Sequence, residues 1–295
     1  MITPPYLKTG DKIGIVACAR KVSAEELEPA LIAFKNWGLT VVPGRNLFKE
    51  KDQFAGTDEE RAEDMQLMLD DPSIKAIICA RGGYGILRII DKLNFNSFRK
   101  NPKWVIGFSD VTVLHAHIHN LNIETLHAKM LIDFMKDEGS SDTVKQALFG
   151  ILKDYKMPSY SLNRRGTATG ELVGGNLSLL YALSGSVSAI DTHGKILFIE
   201  DLDEYLYHID RMMMNLKRSG KLSHLAGLIV GGMTGMKDNK IPFGKNAEEI
   251  ILDAVKEYNY PVCFHFPAGH VDRNLSLYLG RKVQLKVEEQ VRLLF

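Results

Sequence analysis

A serine between an apolar strand and a helix carries the first chemical signal. Residues 105–107 end a strand, and Gly107-Phe108-Ser109 then leads into a helix that begins near Val111. A G-x-S turn in this setting exposes a nucleophilic hydroxyl at the carboxyl edge of a sheet. The N–H groups of the following helix suit a developing oxyanion. The final glycine of G-x-S-x-G is Val111 here, so a simple helix-capping role for Ser109 stays open.

A glycine-rich turn follows another predicted strand. The sequence R-G-G-Y-G at 81–85 comes after the apolar residues 77–80. Glycines allow backbone N–H groups to approach a ligand closely, so Gly83 is a candidate second oxyanion donor. The alternatives are a tight strand-to-helix turn or a phosphate loop. Neither G-x-G-x-x-G spacing nor a Walker lysine is present, which argues against nucleotide binding.

An acid and a base are offered by two strand ends in the second half of the chain. The apolar strand at 197–199 ends in Glu200 and Asp201, and either carboxylate could orient an imidazole. His265 lies inside an apolar run and is predicted to pack in the core. His270 follows Pro267 and Gly269 in a loop, where a general base would be accessible. The non-catalytic alternatives are that the acid is a solvated loop residue and that His270 is an ordinary loop histidine.

A metal site is the competing interpretation of the histidines after Ser109. His115, His117 and His119 form H-x-H-x-H. On a helix, residues two apart face different sides, so the three cannot share one ion. His115 and His119 alone have ligand spacing, and H-E-x-x-H is absent. We therefore expect no metal and no cofactor.

The elements that would position these residues alternate between strand and helix. Strands are predicted near 11–17, 40–43, 76–80 and 104–107, with helices at 24–37, 58–69, 86–93 and up to about 120. This alternation predicts an α/β fold with a parallel sheet. We expect a first domain at 1–151, a linker at 152–166 and a second domain at 167–295. The last of these would contain strands, helices and a closing hairpin within 277–294.

Composition limits the classes of function. The chain has 295 residues, 45% hydrophobic and 25% charged, which is typical of a globular protein. Its 37 basic and 36 acidic residues leave a net charge of +1, so no global field favours nucleic acid or an anionic membrane. Three cysteines without metal-ligand or disulfide spacing fit a reducing compartment. With no signal-like or membrane-spanning run, we expect a cytoplasmic protein.

Taken together, the motifs resemble the LD-carboxypeptidase family of serine peptidases, which includes the microcin-immunity peptidases. The resemblance covers nearly the whole chain and is carried by these stretches, in order: GDKIGIVA, RGGYG, GFSD, GELVGGNLSLL, FIEDLDEYLYHIDRMMMNLKRSG, FPAGH and LGRKVQL.

The resemblance implies a flavodoxin-like N-terminal domain and a smaller C-terminal α/β domain, with the active site in the cleft between them. It implies a triad of Ser109, Glu200 and His270, which favours Glu200 over Asp201. It also implies an oxyanion hole from the N–H groups of Gly83 and Asp110. The implied activity releases D-alanine from murein tetrapeptide in cell-wall recycling, by a cytoplasmic homodimer.

Substrate recognition is less determined, because the sequence departs from the family pattern at two places. His127-Ala128-Lys129 replaces the usual His-Gly-Pro, and Val271 replaces a frequent glycine after the histidine. Arg81 and Arg273 are candidates for binding a carboxylate, since guanidinium pairs with it in a bidentate way. Further candidates are Lys129 and Asn176. The alternative functions are hydrolysis of a peptidyl or aminoacyl nucleotide, and a non-catalytic or amidotransferase-like module.

Overall fold

The computed structural model describes residues 1–295, and the chain divides into two compact units. The first unit consists of Met1–Leu152 and Leu275–Tyr278. The second consists of Lys153–Asn274 and Leu279–Phe295. The chain therefore returns briefly to the first unit near its end.

Strands and helices alternate through most of the chain. The strands are β1 (Lys12–Val16), β2 (Thr40–Pro43), β3 (Ile74–Cys79), β4 (Trp104–Gly107), β5 (Thr125–His127), β6 (Asp154–Pro158), β7 (Gly166–Asn176), β8 (Ile196–Leu202), β9 (Gly227–Thr234), β10 (Val262–Cys263), β11 (Leu277–Leu279), β12 (Lys282–Val287) and β13 (Gln290–Leu294). The α-helices are α1 (Ala24–Asn36), α2 (Asp58–Asp70), α3 (Asn96–Lys100), α4 (Thr112–His119), α5 (Glu138–Leu148), α6 (Leu177–Ala182), α7 (Leu206–Arg218) and α8 (Ala247–Ala254).

The sheet of the first unit has the strand order β11-β5-β4-β3-β1-β2. Strands β1 to β5 pair in parallel, and their order is the flavodoxin-like one. All four residues of β4 and five of six in β3 are buried, as expected for strands covered on both faces. In such sheets, ligands bind beyond the carboxyl ends of the strands, where the residues after β3 and β4 lie.

Two helices of the first unit begin at capping boxes. Ser23 and Glu26 cap α1, and Thr57 and Glu60 cap α2, each pair through reciprocal side-chain to backbone hydrogen bonds. These bonds satisfy N–H groups that lack a partner within the helix. The predicted S/T-x-x-E start of α2 is thereby confirmed.

The sheet of the second unit has the order β10-β9-β8-β7-β12-β13-β6. Strands β7 to β10 pair in parallel, whereas β6, β12 and β13 form an antiparallel extension beside β7. The inner strand β8, between β9 and β7, is buried over its first six residues, up to Asp201. The mixed α/β class expected from the sequence is confirmed.

Three expected elements differ from the structure, and His265, which was predicted to pack in the core, is exposed. The predicted helix at 86–93 is two short 3₁₀ turns, Ile86–Arg88 and Ile90–Lys92, preceded by Gly85 at φ 157°. Within the expected linker at 152–166, β6 pairs with β13 along its full length. The closing segment has a hairpin of β12 and β13, but β11 joins the other sheet. No helix is both long and apolar enough to cross a membrane.

Candidate active site

Ser109 has a strained backbone at the turn between β4 and α4. Its φ is +63°, a left-handed conformation that usually costs a non-glycine residue about 1–3 kcal/mol. Gly107, two residues earlier, has φ 153°, and a Cβ there would lie 2.7 Å from Val111 Cγ2. The strand, the strained serine and the following helix have the geometry of a nucleophile elbow, residues 107–111.

The glycine loop, residues 81–85, packs directly against this elbow. A Cβ on Gly82 would lie 2.9 Å from Ser109 Cβ and 3.1 Å from Ser109 Oγ. Only glycine therefore permits this approach without a shift of the loop. Gly83 has φ 115°, which is also a glycine conformation. The loop follows β3 and the elbow follows β4, and these adjacent parallel strands bring the two segments to one sheet edge.

The carboxylate of Asp110 connects the elbow to the residue after the glycine loop. Asp110 is fully buried, and its Oδ2 accepts a hydrogen bond from the Ile86 N–H at 2.8 Å. Burial raises the pKa of Asp110 to about 6, although the N–H groups of Ile86 and Gly85 and the charge of Arg61 act in the opposite direction. Its Oδ1 is buried without a hydrogen-bond partner.

His115 supports the elbow from α4. Its Nε2 lies 2.9 Å from the Gly107 carbonyl oxygen, and because a carbonyl only accepts, Nε2 must carry the hydrogen. Burial lowers the pKa of His115 to about 4, so the ring is neutral near pH 7. The H-x-H-x-H pattern indicated only a possible metal ligand at His115, and the separation of eight residues from Gly107 gave no signal of this contact.

In the second unit, Glu200 and His270 form a close hydrogen-bonded pair. Glu200 is fully buried at the end of β8, and its Oε2 lies 2.7 Å from His270 Nδ1. The same oxygen accepts the backbone N–H of His270 at 3.1 Å. A carboxylate only accepts, so Nδ1 carries the hydrogen, and Nε2 of a neutral ring is left as a proton acceptor.

Two opposing effects set the basicity of His270. Burial lowers the pKa of His270, but the hydrogen bond and negative charge of Glu200, followed by the charges of Asp201 and Asp203, outweigh it. The net result is a pKa above the ordinary histidine value. His270 therefore accepts a proton more readily than an isolated imidazole, which suits a general base.

Backbone contacts hold the loop that carries His270. Gly269 has φ 100°, and a Cβ there would lie 2.5 Å from Glu200 Oε2. The Gly269 N–H donates to Asn274 Oδ1 at 2.9 Å, and Thr234 Oγ1 donates to the His270 carbonyl at 2.6 Å. Asn274 and Thr234 thus fix the loop, and sequence reasoning missed both because they act through the backbone.

Asp201, the neighbour of Glu200, forms hydrogen bonds with other residues and not with His270. Its Oδ1 accepts from Asn176 Nδ2 and the Leu202 N–H, and its Oδ2 accepts from the N–H and Oγ of Ser178. Burial, then the charge of Glu200, raises the pKa of Asp201 to about 6. Of the two carboxylates that the sequence left open, Glu200 contacts the imidazole and Asp201 braces the start of α6.

The candidate substrate-binding residues lie in different settings. Arg81 is half-buried and pairs with Glu26 at 3.6 Å. Lys129 is buried two residues after β5, and Asn176 is buried and caps α6 through the Leu179 N–H. Arg273 is exposed and lines a cleft of about 320 Å³ in the second unit.

The histidines that suggested a metal make contacts with protein groups. His119 Nε2 lies 3.0 Å from Thr125 Oγ1, and the His117 ring packs against Phe95 with centroids 4.8 Å apart. No group of three or more His, Cys, Asp or Glu side chains in the chain is arranged to hold a metal ion.

Known proteins resemble the chain over both halves. A family model described as the LD-carboxypeptidase N-terminal domain matches residues 13–128, and the corresponding C-terminal domain matches residues 169–285. The probable murein peptide carboxypeptidase of Bacillus subtilis is 34% identical, covering 97% of this chain and 92% of the relative.

Two solved structures have a similar fold. The muramoyltetrapeptide carboxypeptidase from Oxalobacter formigenes has a TM-score of 0.87 and 26% identity, covering 96% of this chain and 97% of its own. The microcin C7 self-immunity protein MccF, in complex with aspartyl sulfamoyl adenosine, has a TM-score of 0.87 at 22% identity. It covers 98% of this chain and 97% of its own. This second likeness shows the fold alone.

Proposed function

Because the chain belongs to the LD-carboxypeptidase family, we propose that it hydrolyses the L-to-D peptide bond that releases terminal D-alanine from murein tetrapeptide. The names of the Bacillus and Oxalobacter relatives support a murein peptide as the substrate. The observation that carries the proposal is the left-handed backbone of Ser109 at the elbow, because such strain is typical of a serine nucleophile.

In the proposed first step, His270 Nε2 takes the proton from Ser109 Oγ, and Oγ attacks the scissile carbonyl carbon. Glu200 keeps the proton of His270 on Nδ1 and stabilises the imidazolium that forms. The tetrahedral intermediate then collapses, and His270 gives the proton to the leaving nitrogen. D-Alanine departs and the rest of the peptide remains as an ester on Ser109.

In the proposed second step, water replaces D-alanine. His270 removes a proton from the water, whose oxygen attacks the ester carbonyl, and the proton passes to Ser109 Oγ as the ester bond breaks. The tripeptide leaves with a new carboxylate. The N–H groups of Gly83 and Asp110 would hold the oxyanion in both steps, and the contact of the glycine loop with Ser109 supports this role.

Arg273 is our preferred partner for the terminal carboxylate of the substrate. It lines a cleft beside the His270 loop, together with Val271 and Thr234. Arg81 is a weaker choice because Glu26 already pairs with it. Arg273→Gln should raise KM and leave kcat within about threefold, since uniform binding energy is lost. An unchanged KM would return the role to Lys129, Asn176 or Arg81.

We further propose that the enzyme works in the cytoplasm as a homodimer and serves peptidoglycan recycling. All three cysteines are buried free thiols, which fits a reducing compartment. Cell fractionation tests the compartment. Light scattering on the purified chain tests the oligomer, where a mass near 33.1 kDa would contradict a dimer.

The direct test is mass spectrometry of a murein tetrapeptide ending in D-alanine, incubated with the protein in chelator. Wild type should remove one alanine, and Ser109→Ala should remove none. Equal cleavage by both would exclude Ser109 as the nucleophile. Cleavage by neither would exclude this substrate, and an aminoacyl sulfamoyl nucleotide would be the next one to assay.

A further inference from the structure

We propose that the side chain of Asp110 is a positioning residue that holds the glycine loop against Ser109 through the Ile86 N–H. The proposal rests on the proposed function, because it takes Gly83 in that loop as an oxyanion donor. This side-chain role is distinct from that of the Asp110 N–H as an oxyanion donor, because a side-chain substitution leaves that N–H in place.

The geometry of the first unit supports this role. Asp110 lies next to Ser109 in the elbow, and Ile86 lies next to the last residue of the glycine loop. The Asp110 Oδ2 to Ile86 N distance of 2.8 Å is that of a well-formed hydrogen bond. One side chain therefore connects the segment carrying the nucleophile to the segment carrying the second donor.

The loop needs such a connection because its own structure is weak. Gly82, Gly83 and Gly85 have no side chains to pack, and the loop enters a 3₁₀ turn of only three residues, Ile86–Arg88. A glycine chain has many accessible conformations, so the buried Asp110 anchor adds to the hydrogen bond from the Arg20 N–H to the Gly82 carbonyl, at 3.4 Å, in fixing the position of the loop. A displacement of about 1 Å in a donor can cost on the order of 100-fold in rate.

The burial of Asp110 indicates that its carboxylate has a purpose other than stability. It is fully buried, its Oδ1 has no hydrogen-bond partner, and its pKa is raised to about 6. Burying a carboxylate with an unsatisfied oxygen destabilises the fold. Arg61, itself buried, lowers the pKa of Asp110 and so favours the charged form.

Asp64 offers a matched control within the same unit. It is also buried, burial raises its pKa, and its carboxylate accepts the Asn46 N–H at 2.9 and 3.1 Å. Its described bonds go to Asn46 and not to the elbow or the glycine loop. Removing its side chain should lower stability without changing the catalytic rate.

The experiment compares Asp110→Asn, Asp110→Ala and Asp64→Ala in steady-state cleavage of the tetrapeptide. Asp110→Ala should lower kcat by about 100-fold with KM within about threefold, the loss expected for one oxyanion donor. Asp110→Asn should keep kcat within about fivefold, because its amide oxygen still accepts from Ile86. Amide hydrogen exchange of Ile86 should be faster in Asp110→Ala than in Asp110→Asn.

Three outcomes would overturn the proposal: wild-type kcat in Asp110→Ala, equal losses in Asp110→Asn and Asp110→Ala, or an equal loss in Asp64→Ala. If Asp110→Ala does not fold, Asp110→Leu replaces it, since leucine has a similar shape to asparagine but no acceptor. If wild type does not cleave the tetrapeptide, the proposed substrate fails. Labelling of Ser109 by a fluorophosphonate then gives the same comparison among the variants, without that substrate.

Discussion

The first and second units each place a buried aspartate directly after a candidate catalytic residue, and the two aspartates differ in their hydrogen bonds. Asp110 follows Ser109, and Asp201 follows Glu200; the pKa of each is raised to about 6, mainly by burial. Asp201 accepts four hydrogen bonds through both oxygens. Asp110 accepts through Oδ2, while its Oδ1 has no partner.

The difference indicates two ways of building an active site. In the second unit, Asp201 is satisfied and stabilises α6, whereas Glu200 beside it binds His270 through Oε2 and has a buried Oε1 without a hydrogen-bond partner. In the first unit, Asp110 is not fully satisfied, and Ser109 beside it has a strained backbone. Unsatisfied and strained groups persist where function requires them. We therefore expect substitutions in the second unit to alter proton transfer, and those in the first to alter the geometry of the attack.

The largest effect should come from Glu200→Gln. The amide can present N–H instead of oxygen to His270 Nδ1, which favours the wrong tautomer, and kcat should fall by about 10³–10⁴-fold. Because Glu200 raises the pKa of His270, its neutralisation should also move the acidic limb of the residual kcat/KM profile to lower pH. A pH–rate profile measures both changes. An acidic limb at the wild-type pH would show that Glu200 does not raise the pKa of His270.

A smaller loss is expected from Gly82→Ala in the first unit. The added Cβ would lie 2.9 Å from Ser109 Cβ, so the glycine loop or the serine must shift, and kcat should fall by about 10- to 100-fold. Gly227→Ala in β9 is the control, since its Cβ would lie 3.3 Å from the nearest atom. That control should keep wild-type kcat. Equal kcat in Gly82→Ala and wild type would mean that the loop does not position the reaction.

The two aspartates should respond differently to asparagine. Asp201→Asn turns one accepting oxygen into an NH₂ group that faces N–H or O–H donors, which should cost about 2–3 kcal/mol in the free energy of unfolding. Asp110→Asn can direct its NH₂ to the side where Oδ1 has no partner, so it should be clearly less destabilising. Urea denaturation at pH 7.5, where both carboxylates are ionised in the folded wild type, compares the two. Equal losses would remove the contrast between the sites.

The pH dependence of stability sharpens the same comparison. The pKa of Asp110 is about 6 when folded and near 3.8 when unfolded, so the native state binds more protons between these values. Its contribution to stability is therefore lost as the pH rises, by about 2 kcal/mol between pH 4.5 and 7.5. An asparagine at 110 does not titrate, so Asp110→Asn should gain about that much relative to wild type. Denaturation at both pH values measures this gain, and a constant difference would contradict the raised pKa.

The sequence predicted local features better than contacts between distant residues. The turn that carries Ser109 and the capping box of α2 each follow from a short segment, the parallel sheet follows from the alternation of strand and helix, and the structure has all three. By contrast, β11 has three residues and no alternation to indicate which sheet it joins. The 3₁₀ turns after Gly85 have an apolar pattern like that of a helix.

Side chains that hydrogen-bond to the backbone of distant residues could not be predicted from the sequence either. Asp110 to Ile86 spans 24 residues and His115 to Gly107 spans eight, and neither spacing belongs to a helix or strand pattern. The choice between Glu200 and Asp201 was equally open, because both end the same strand. Their opposite directions on a pleated strand decide which one meets His270.

The central claim is that Ser109, His270 and Glu200 act as one triad, and a double-mutant cycle tests it most directly. Ser109→Ala and His270→Ala should each lower kcat on the tetrapeptide by about 10⁴-fold or more, and the double variant should be no worse than the single ones. His208→Ala, a second histidine paired with a glutamate, should retain wild-type kcat. Multiplicative losses in the double variant, or wild-type kcat in either single one, would contradict the triad.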